Sequence, residues 1–251
     1  MKYRAAILGC GRMGVGGPGW VFPYTYTHAD TYMALKDRVE LIAVADLDEE
    51  KREAAAQRFG VPCYKDVGEL LANRSPDIVS ICTPNGTHTQ VINAVQDGSV
   101  KAIWLEKPSE LAMPLSIPVQ VNYCRRFCRV HRAVQDMVMG RRTNLHVWAK
   151  KDWTTVVHFA DLARMMGIPF EGIQYTDNIG EYPATNSYRI DAGKWAFDFR
   201  NGGCSNGFME TALTELLDAL DGKRTTLSSS VASAIESERL AERIMGCRPP
   251  L

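Results

Sequence analysis

The sequence predicts an α/β protein, a doubly wound parallel sheet followed by a smaller α+β domain. Three observations predict it. Apolar runs alternate with helical patterns through the first half of the chain. A glycine-rich turn directly follows the first apolar run. Beyond about residue 124, strand-like and helix-like segments cluster instead of alternating.

Residues 3–8 (YRAAIL), 39–45 (VELIAVA), 77–82 (DIVSIC) and 100–105 (VKAIWL) read as strands. Their apolar residues are nearly continuous, as expected when helices cover both faces of a parallel sheet. Helical patterns fill the gaps at 49–59, 66–73 and 87–96, and 119–123 (VQVNY) is a last strand. Right-handed crossovers then gather the carboxyl ends of the strands on one edge, where ligands bind in such sheets. The expected division is a first domain over 1–124 and a shortened second domain over 125–251. In the second, 129–139 and 158–166 read as helices, 171–176, 187–191 and 195–200 as strands, and 209–220 and 230–244 as closing helices. The last carries Val231, Ala234, Ile235, Leu240, Ala241 and Ile244 at helical spacing, a packing face.

Composition narrows the partners. The 251 residues carry 29 Lys plus Arg against 29 Asp plus Glu, so no basic excess points to nucleic acid or an anionic membrane. No run of about 18 apolar residues offers a membrane span. The N-terminus passes directly into strand-like sequence without a signal-peptide core. Seven cysteines, at 10, 63, 82, 124, 128, 204 and 247, include no CxxC pair, so neither zinc nor a disulfide framework is expected. Reduced thiols in a cytoplasmic protein fit this pattern.

Gly9-Cys10-Gly11-Arg12-Met13-Gly14 matches GxGxxG after the first strand, the phosphate-binding turn of a Rossmann domain. Gly9 permits the tight turn, Gly11 lets a pyrophosphate approach the backbone, and Gly14 allows close packing. Helix N–H groups would meet the phosphates. Residues 15–27 (VGGPGWVFPYTYT) are rich in Gly, Pro and aromatics and cannot continue a helix smoothly. They read as an insertion, shielding a cofactor or forming a plain surface loop, with the helix resuming near 28–35. Asp46 ends the second strand, where a carboxylate accepts from ribose hydroxyls and repels a 2′-phosphate. The insertion accounts for its distance from the glycines, beyond the usual ~20 residues. No Arg or Lys follows within 47–50 to hold a phosphate, so NAD is expected rather than NADP. The alternative is that Asp46 or Asp48 caps the next helix.

Thr83-Pro84-Asn85 after the fourth sheet position, His88 beyond it, and Glu106-Lys107-Pro108 after the fifth resemble the Gfo/Idh/MocA oxidoreductases, the family of glucose–fructose oxidoreductase and inositol dehydrogenase. VNYCRRF at 121–127 and ETALTELLDALDGKR at 210–224 are also similar to its pattern. By that resemblance Thr83, Pro84 and Asn85 line the nicotinamide-side ribose, and His88 stands close to the cofactor or packs at a helix start. Glu106 and Lys107 sit beside the nicotinamide, with Pro108 in a cis or tightly turned bond. Lys107 hydrogen-bonds the substrate hydroxyl, because an ammonium stabilises a developing alkoxide.

The family also places D-x-x-x-H-x-x-D near a second-domain helix start. His158 and Asp161 supply the later members, while Thr154 stands where the first aspartate would fall. His158 suits a general base near neutrality, with Asp152 or Asp161 to orient it. Tyr123 is a proton-relay candidate. Arg125 and Arg126 suit a substrate phosphate or carboxylate, or salt bridges. The resemblance therefore implies an oxidoreductase moving hydride between NAD and a secondary alcohol of a sugar, sugar nucleotide or cyclitol, with a domain cleft excluding water and a homo-oligomer, dimer or tetramer, as the assembly. The alternative is a non-catalytic NAD-binding sensor or partner subunit. Thr154 and the short second domain favour it.

Overall fold

The structure, a computed structural model, describes residues 2–17, 25–96, 98–177, 187–200, 204 and 206–246. The chain divides into two compact units, residues 1–122 with 209–231, and residues 123–208 with 232–251.

The first unit is built on six parallel strands, β1 (Tyr3–Leu8), β2 (Val39–Ala45), β3 (Cys63–Tyr64), β4 (Ile78–Ile81), β5 (Ala102–Leu105) and β6 (Val119–Val121), in the order β3-β2-β1-β4-β5-β6. The order reverses between β1 and β4, which creates the crevice at the carboxyl ends of the strands. The central strands are apolar on both faces because both are covered: every residue of β4 and β5 is buried. Helices α1 (His28–Ala34), α2 (Glu49–Phe59), α3 (Val67–Asn73) and α4 (His88–Gln96) connect them. Thr27, Asp48 and Asp66 each accept from a first-turn N–H and so start α1, α2 and α3.

The insertion has a simple geometry. Val15 N–H bonds to Gly11 and Gly16 N–H to Arg12, as in a helical turn. The next two carbonyls, of Met13 and Gly14, accept instead from His28 and Ala29. The chain thus leaves a helix after Gly16 and re-enters the same hydrogen-bond ladder at His28. Residues 18–24 of that segment lie outside the described residues.

One boundary needs correction. The expected second domain, 125–251, included residues 209–231, yet these cluster with the first unit. The reason is the exposed edge of β6. Val121 N–H donates to Ser229 O, Gln120 bridges to Ser230, and the Gln120 amide donates to Ala212 O. This return covers an edge strand that would otherwise present unpaired backbone groups. Helix α7 (Phe208–Leu220) buries Met209, Ala212, Leu213, Leu216 and Leu217 there. Its end is fixed by Arg38, which pairs with Asp218 and Asp221 at 2.7 and 2.9 Å.

The second unit holds a four-stranded sheet ordered β10-β9-β7-β8, from β7 (Thr143–Ala149), β8 (Ile173–Asp177), β9 (Ser187–Ala192) and β10 (Trp195–Phe199). β7 pairs parallel with β8 and antiparallel with β9. Helices α5 (Arg129–Val138), α6 (Trp153–Met165) and α8 (Val231–Met245) accompany it. β7 was not expected, and it lies inside the sheet; Thr143, Leu145, Val147 and Ala149 alternate inward at the strand period. Among the described residues no helix is long and apolar enough to cross a membrane.

Candidate active site

The glycine turn is shaped by neighbours of its own unit. Gly9 has φ +96°, and a Cβ there would collide with the Cys82 carbonyl oxygen. A Cβ on Gly14 would drive into the Gly9 carbonyl oxygen. Gly11 is different, because a Cβ there meets no protein atom within 4 Å. The first two glycines are therefore demanded by the fold, and the third guards open space beside the backbone, as a phosphate site requires. Arg12 is exposed and Met13 half-buried on the same turn.

Asp46 is fastened to this turn. Its Oδ2 accepts from Cys10 N–H at 2.7 Å and its Oδ1 from Asp48 N–H at 2.9 Å. Asp48, not Asp46, caps α2, so the two aspartates separate into the two roles the sequence left open. A carboxylate offers about four lone-pair positions, so each Asp46 oxygen keeps one for a ribose hydroxyl. Burial, reinforced by Asp46, pushes the Cys10 thiol up to about 12, which keeps it neutral beside the turn.

Beyond β4, Thr83 is half-buried and Pro84 and Asn85 are exposed. Thr87 ties this loop, its hydroxyl donating to Pro84 O at 2.6 Å and accepting from Thr83 Oγ1 at 2.9 Å. His88, expected near the cofactor, is fully buried and has another task. Its ring nitrogens face Pro108 O at 2.7 Å and Thr83 O at 3.0 Å. A carbonyl only accepts, so the ring serves both partners at once only when both nitrogens carry hydrogen. Glu110 lies 3.8 Å away and accepts from the Gly86 and His88 N–H groups. His88 thus braces the loop after β4 against the loop after β5, and the packing alternative is the one the geometry favours.

Lys107 is half-buried and its bond to Pro108 is cis. Glu106 is 7% exposed and belongs to a buried polar chain that sequence reasoning missed. Tyr32 O–H meets Ser80 Oγ at 2.7 Å, Ser80 meets His28 Nδ1 at 2.9 Å, and His28 Nε2 meets Glu106 Oε1 at 3.1 Å. Asn122 donates to the same Glu106 oxygen at 2.6 Å. A neutral His28 satisfies every member, with protons running from Tyr32 toward Glu106. Burial alone would raise the Glu106 carboxyl. Donation from His28 and Asn122 and the Lys107 charge outweigh it and hold the group below its ordinary range. His28 is unremarkable in the sequence, because only the fold brings the start of α1 to the end of β5.

In the second unit, the remaining candidates are largely internal. Arg126 and Asp161 pair with each other, the Arg126 Nε lying 2.8 and 2.9 Å from the two carboxylate oxygens. Ser237 donates to Asp161 at 2.8 Å, and Asp161 is 1% exposed. The substrate role expected for Asp161 is thus corrected to an ion pair inside the unit, and Arg126 is its partner. Arg126→Ala would strand a buried carboxylate and is expected to lower unfolding free energy by about 3–5 kcal/mol, readable by urea denaturation. Tyr123 is also buried, its hydroxyl 3.3 Å from Glu238, and Arg125 is buried against Phe159 and Tyr188. Neither reaches a surface where substrate could meet it within this unit.

His158 is half-buried on α6, its ring edge-on to Tyr123. The carboxylates expected to orient it are engaged elsewhere. Asp152 caps α6 by accepting from Thr155 N–H at 2.9 Å and also accepts from Thr154 Oγ1 at 2.8 Å. Asp161 serves Arg126 and Ser237. Both carboxylates thus carry structural tasks inside the unit.

Comparison with known proteins gives partial matches to this chain. Residues 3–117 match the family described as "Oxidoreductase family, NAD-binding Rossmann fold" (GFO_IDH_MocA). D-apiose dehydrogenase of Paraburkholderia graminis is 28% identical over 113 residues, 45% of this chain and 27% of that protein. Myo-inositol 2-dehydrogenase of Thermotoga maritima is 28% identical over 109 residues, 43% of this chain and 29% of that protein. The matches thus cover less than a third of these two relatives. The WlbA dehydrogenase of Bordetella pertussis, crystallised with NADH and UDP-GlcNAcA, superposes with a TM-score of 0.72 at 15% identity, covering 100% of both chains. At that identity the likeness is one of fold.

Proposed function

We propose, from the match of residues 3–117 to the Gfo/Idh/MocA oxidoreductases, that this protein transfers hydride between NAD and a secondary alcohol of a sugar, sugar nucleotide or cyclitol. The observation that carries the reading is the 2.7 Å hydrogen bond between Cys10 N–H and Asp46. It joins the phosphate-binding turn to the ribose-binding acid in one rigid edge, with Thr83, Asn85 and Lys107 on neighbouring strand ends of the same unit. NAD, when bound, supplies the hydride acceptor or donor at its nicotinamide ring. Gly11 and the N–H groups of the turn would receive the pyrophosphate, and Asp46 the adenine ribose. Thr83, Pro84 and Asn85 would line the second ribose. Glu106, fixed by His28 and Asn122, would position Lys107 at its side. Lys107 would donate to the substrate oxygen and lower the cost of losing its proton. His158, on α6 of the second unit, is the general-base candidate. The six described cysteines are thiols and not disulfide halves, which supports the cytoplasm as the compartment; a homo-oligomer completes the reading.

Asp46 also carries the choice of cofactor. Asp46→Ala is expected to lower the ratio of Kd for NADP to Kd for NAD by about tenfold, or 1.4 kcal/mol. Calorimetry with both dinucleotides checks it, and an unchanged ratio removes Asp46 from the ribose site.

A specific observation favours the second reading, a non-catalytic NAD-binding sensor: Thr154 stands where the first aspartate of the D-x-x-x-H-x-x-D pattern would fall. The two readings separate in one assay. Purified protein with NAD is offered a panel of sugars, sugar nucleotides and cyclitols, and the absorbance of reduced nicotinamide is followed. Turnover supports the enzyme. NAD binding without turnover across the panel supports the sensor.

A further inference from the structure

The second unit gathers an uncommon set of side chains. Cys128, at the start of α5, and His131, in its first turn, meet Cys204 from the segment after β10. Their ligand atoms all lie within 4.8 Å of one another. A fourth group joins them, since the Cys204 and Cys124 sulfurs are 3.3 Å apart. That distance exceeds a disulfide bond of about 2.05 Å, so these are two thiols in contact.

Two independent features show what the cluster lacks. His131 is fully buried, with Nε2 against the Tyr188 hydroxyl, while its Nδ1 is buried without a hydrogen-bond partner. An unsatisfied buried nitrogen costs about 1–3 kcal/mol. The second feature is Arg125. It is 5% exposed, stacked over Phe159 and Tyr188, and its Nε reaches only the Tyr188 hydroxyl at 3.4 Å. Among the described residues no carboxylate pairs with it, and a buried guanidinium demands a counter-charge.

We propose that Cys124, Cys128, His131 and Cys204 form a closed tetrahedral site for zinc. Three sulfurs and one imidazole nitrogen are a recurring donor set for structural zinc, and four protein ligands leave no open position for catalysis. His131 binds through Nδ1, and Tyr188 holds the opposite nitrogen, the outer-sphere support that fixes a ligating imidazole. Each thiol gives up its proton to solvent as the metal enters. Three thiolates and one divalent cation leave a single net negative charge, which answers the lone charge of Arg125. The guanidinium expected to bind a substrate anion becomes the counter-ion of a metal centre. The absence of CxxC hid this site; Cys124-x3-Cys128-x2-His131 is a compact half, and the last ligand arrives only through the fold.

The test uses the full chain, purified under thiol reductant without chelator. Elemental analysis is expected to give one zinc per chain. After chelation under reducing conditions, titration with Co²⁺ should produce the visible and sulfur-to-metal charge-transfer bands of tetrahedral thiolate cobalt, saturating at one equivalent and bleached by Zn²⁺. Cys204→Ser should weaken Zn²⁺ binding at least 100-fold, about 2.7 kcal/mol, while Cys63→Ser, outside the cluster, leaves it unchanged. The proposal is overturned if folded protein carries no zinc and takes up no cobalt, if the cobalt spectrum is octahedral, if Cys204→Ser binds as wild type, or if mass spectrometry finds Cys124 and Cys204 joined as a disulfide in the reduced preparation. These outcomes are independent of whether NAD binds.

Discussion

Gly11→Ala is expected to fold as wild type and to lose NAD affinity at least 100-fold, about 2.7 kcal/mol. The added methyl meets no protein atom, so the unfolding free energy should stay within about 0.5 kcal/mol, as for a surface change. The same methyl would stand where a pyrophosphate oxygen must approach the backbone. Gly14→Ala makes the contrast. Its methyl would press into the Gly9 carbonyl, so the turn must open and the protein should lose about 1–3 kcal/mol, the range for overpacking. Calorimetric titration with NAD and urea melts of both variants separate a ligand effect from a folding effect. If Gly11→Ala binds NAD normally, the turn is not a phosphate site.

Lys107→Ala should leave NAD affinity within about threefold and cut turnover about 100- to 10,000-fold, the span of a general acid–base contribution. The expectation rests on position. Lys107 follows β5 at the carboxyl edge, and the Glu106 carboxylate beside it is locked by His28 and Asn122. The lysine is therefore anchored at that edge, and its ammonium would stabilise an alcohol oxygen that is losing its proton. Initial rates on whichever substrate the panel identifies, together with NAD titrations, give both numbers. A variant that turns over at the wild-type rate would assign the proton chemistry to another group.

The parallel sheet was readable because its strands are buried on both faces and so carry nearly unbroken apolar runs; β2 and α2 fall at the expected residues. What escaped was structure with a weaker signature. β3 is two residues long, too short for any period. β7 alternates Thr143, Leu145, Val147 and Ala149 with Asn144, His146 and Trp148, but His and Trp blur the polar phase. Helix α6 begins at Trp153, ahead of the expected 158, because Asp152 caps it. The site followed the same division. Gly9, Gly11, Gly14 and Asp46 could be located from spacing, since the turn after β1 and the end of β2 carry them at fixed offsets. His28, Glu110 and the partners of Asp161 depend on which loops meet, and no local pattern encodes that. The resemblance named His88 and left it between cofactor contact and packing, and its burial favours packing.

The rejoined ladder at Gly16 and His28 separates two kinds of change. Because the Met13 and Gly14 carbonyls accept from the N–H groups of residues 28 and 29, the hydrogen-bond ladder closes across the splice without a contribution from the residues between. Changes of length or sequence in that stretch should therefore leave the ladder on either side of the splice in place, so variation among kin should concentrate between the two anchor points.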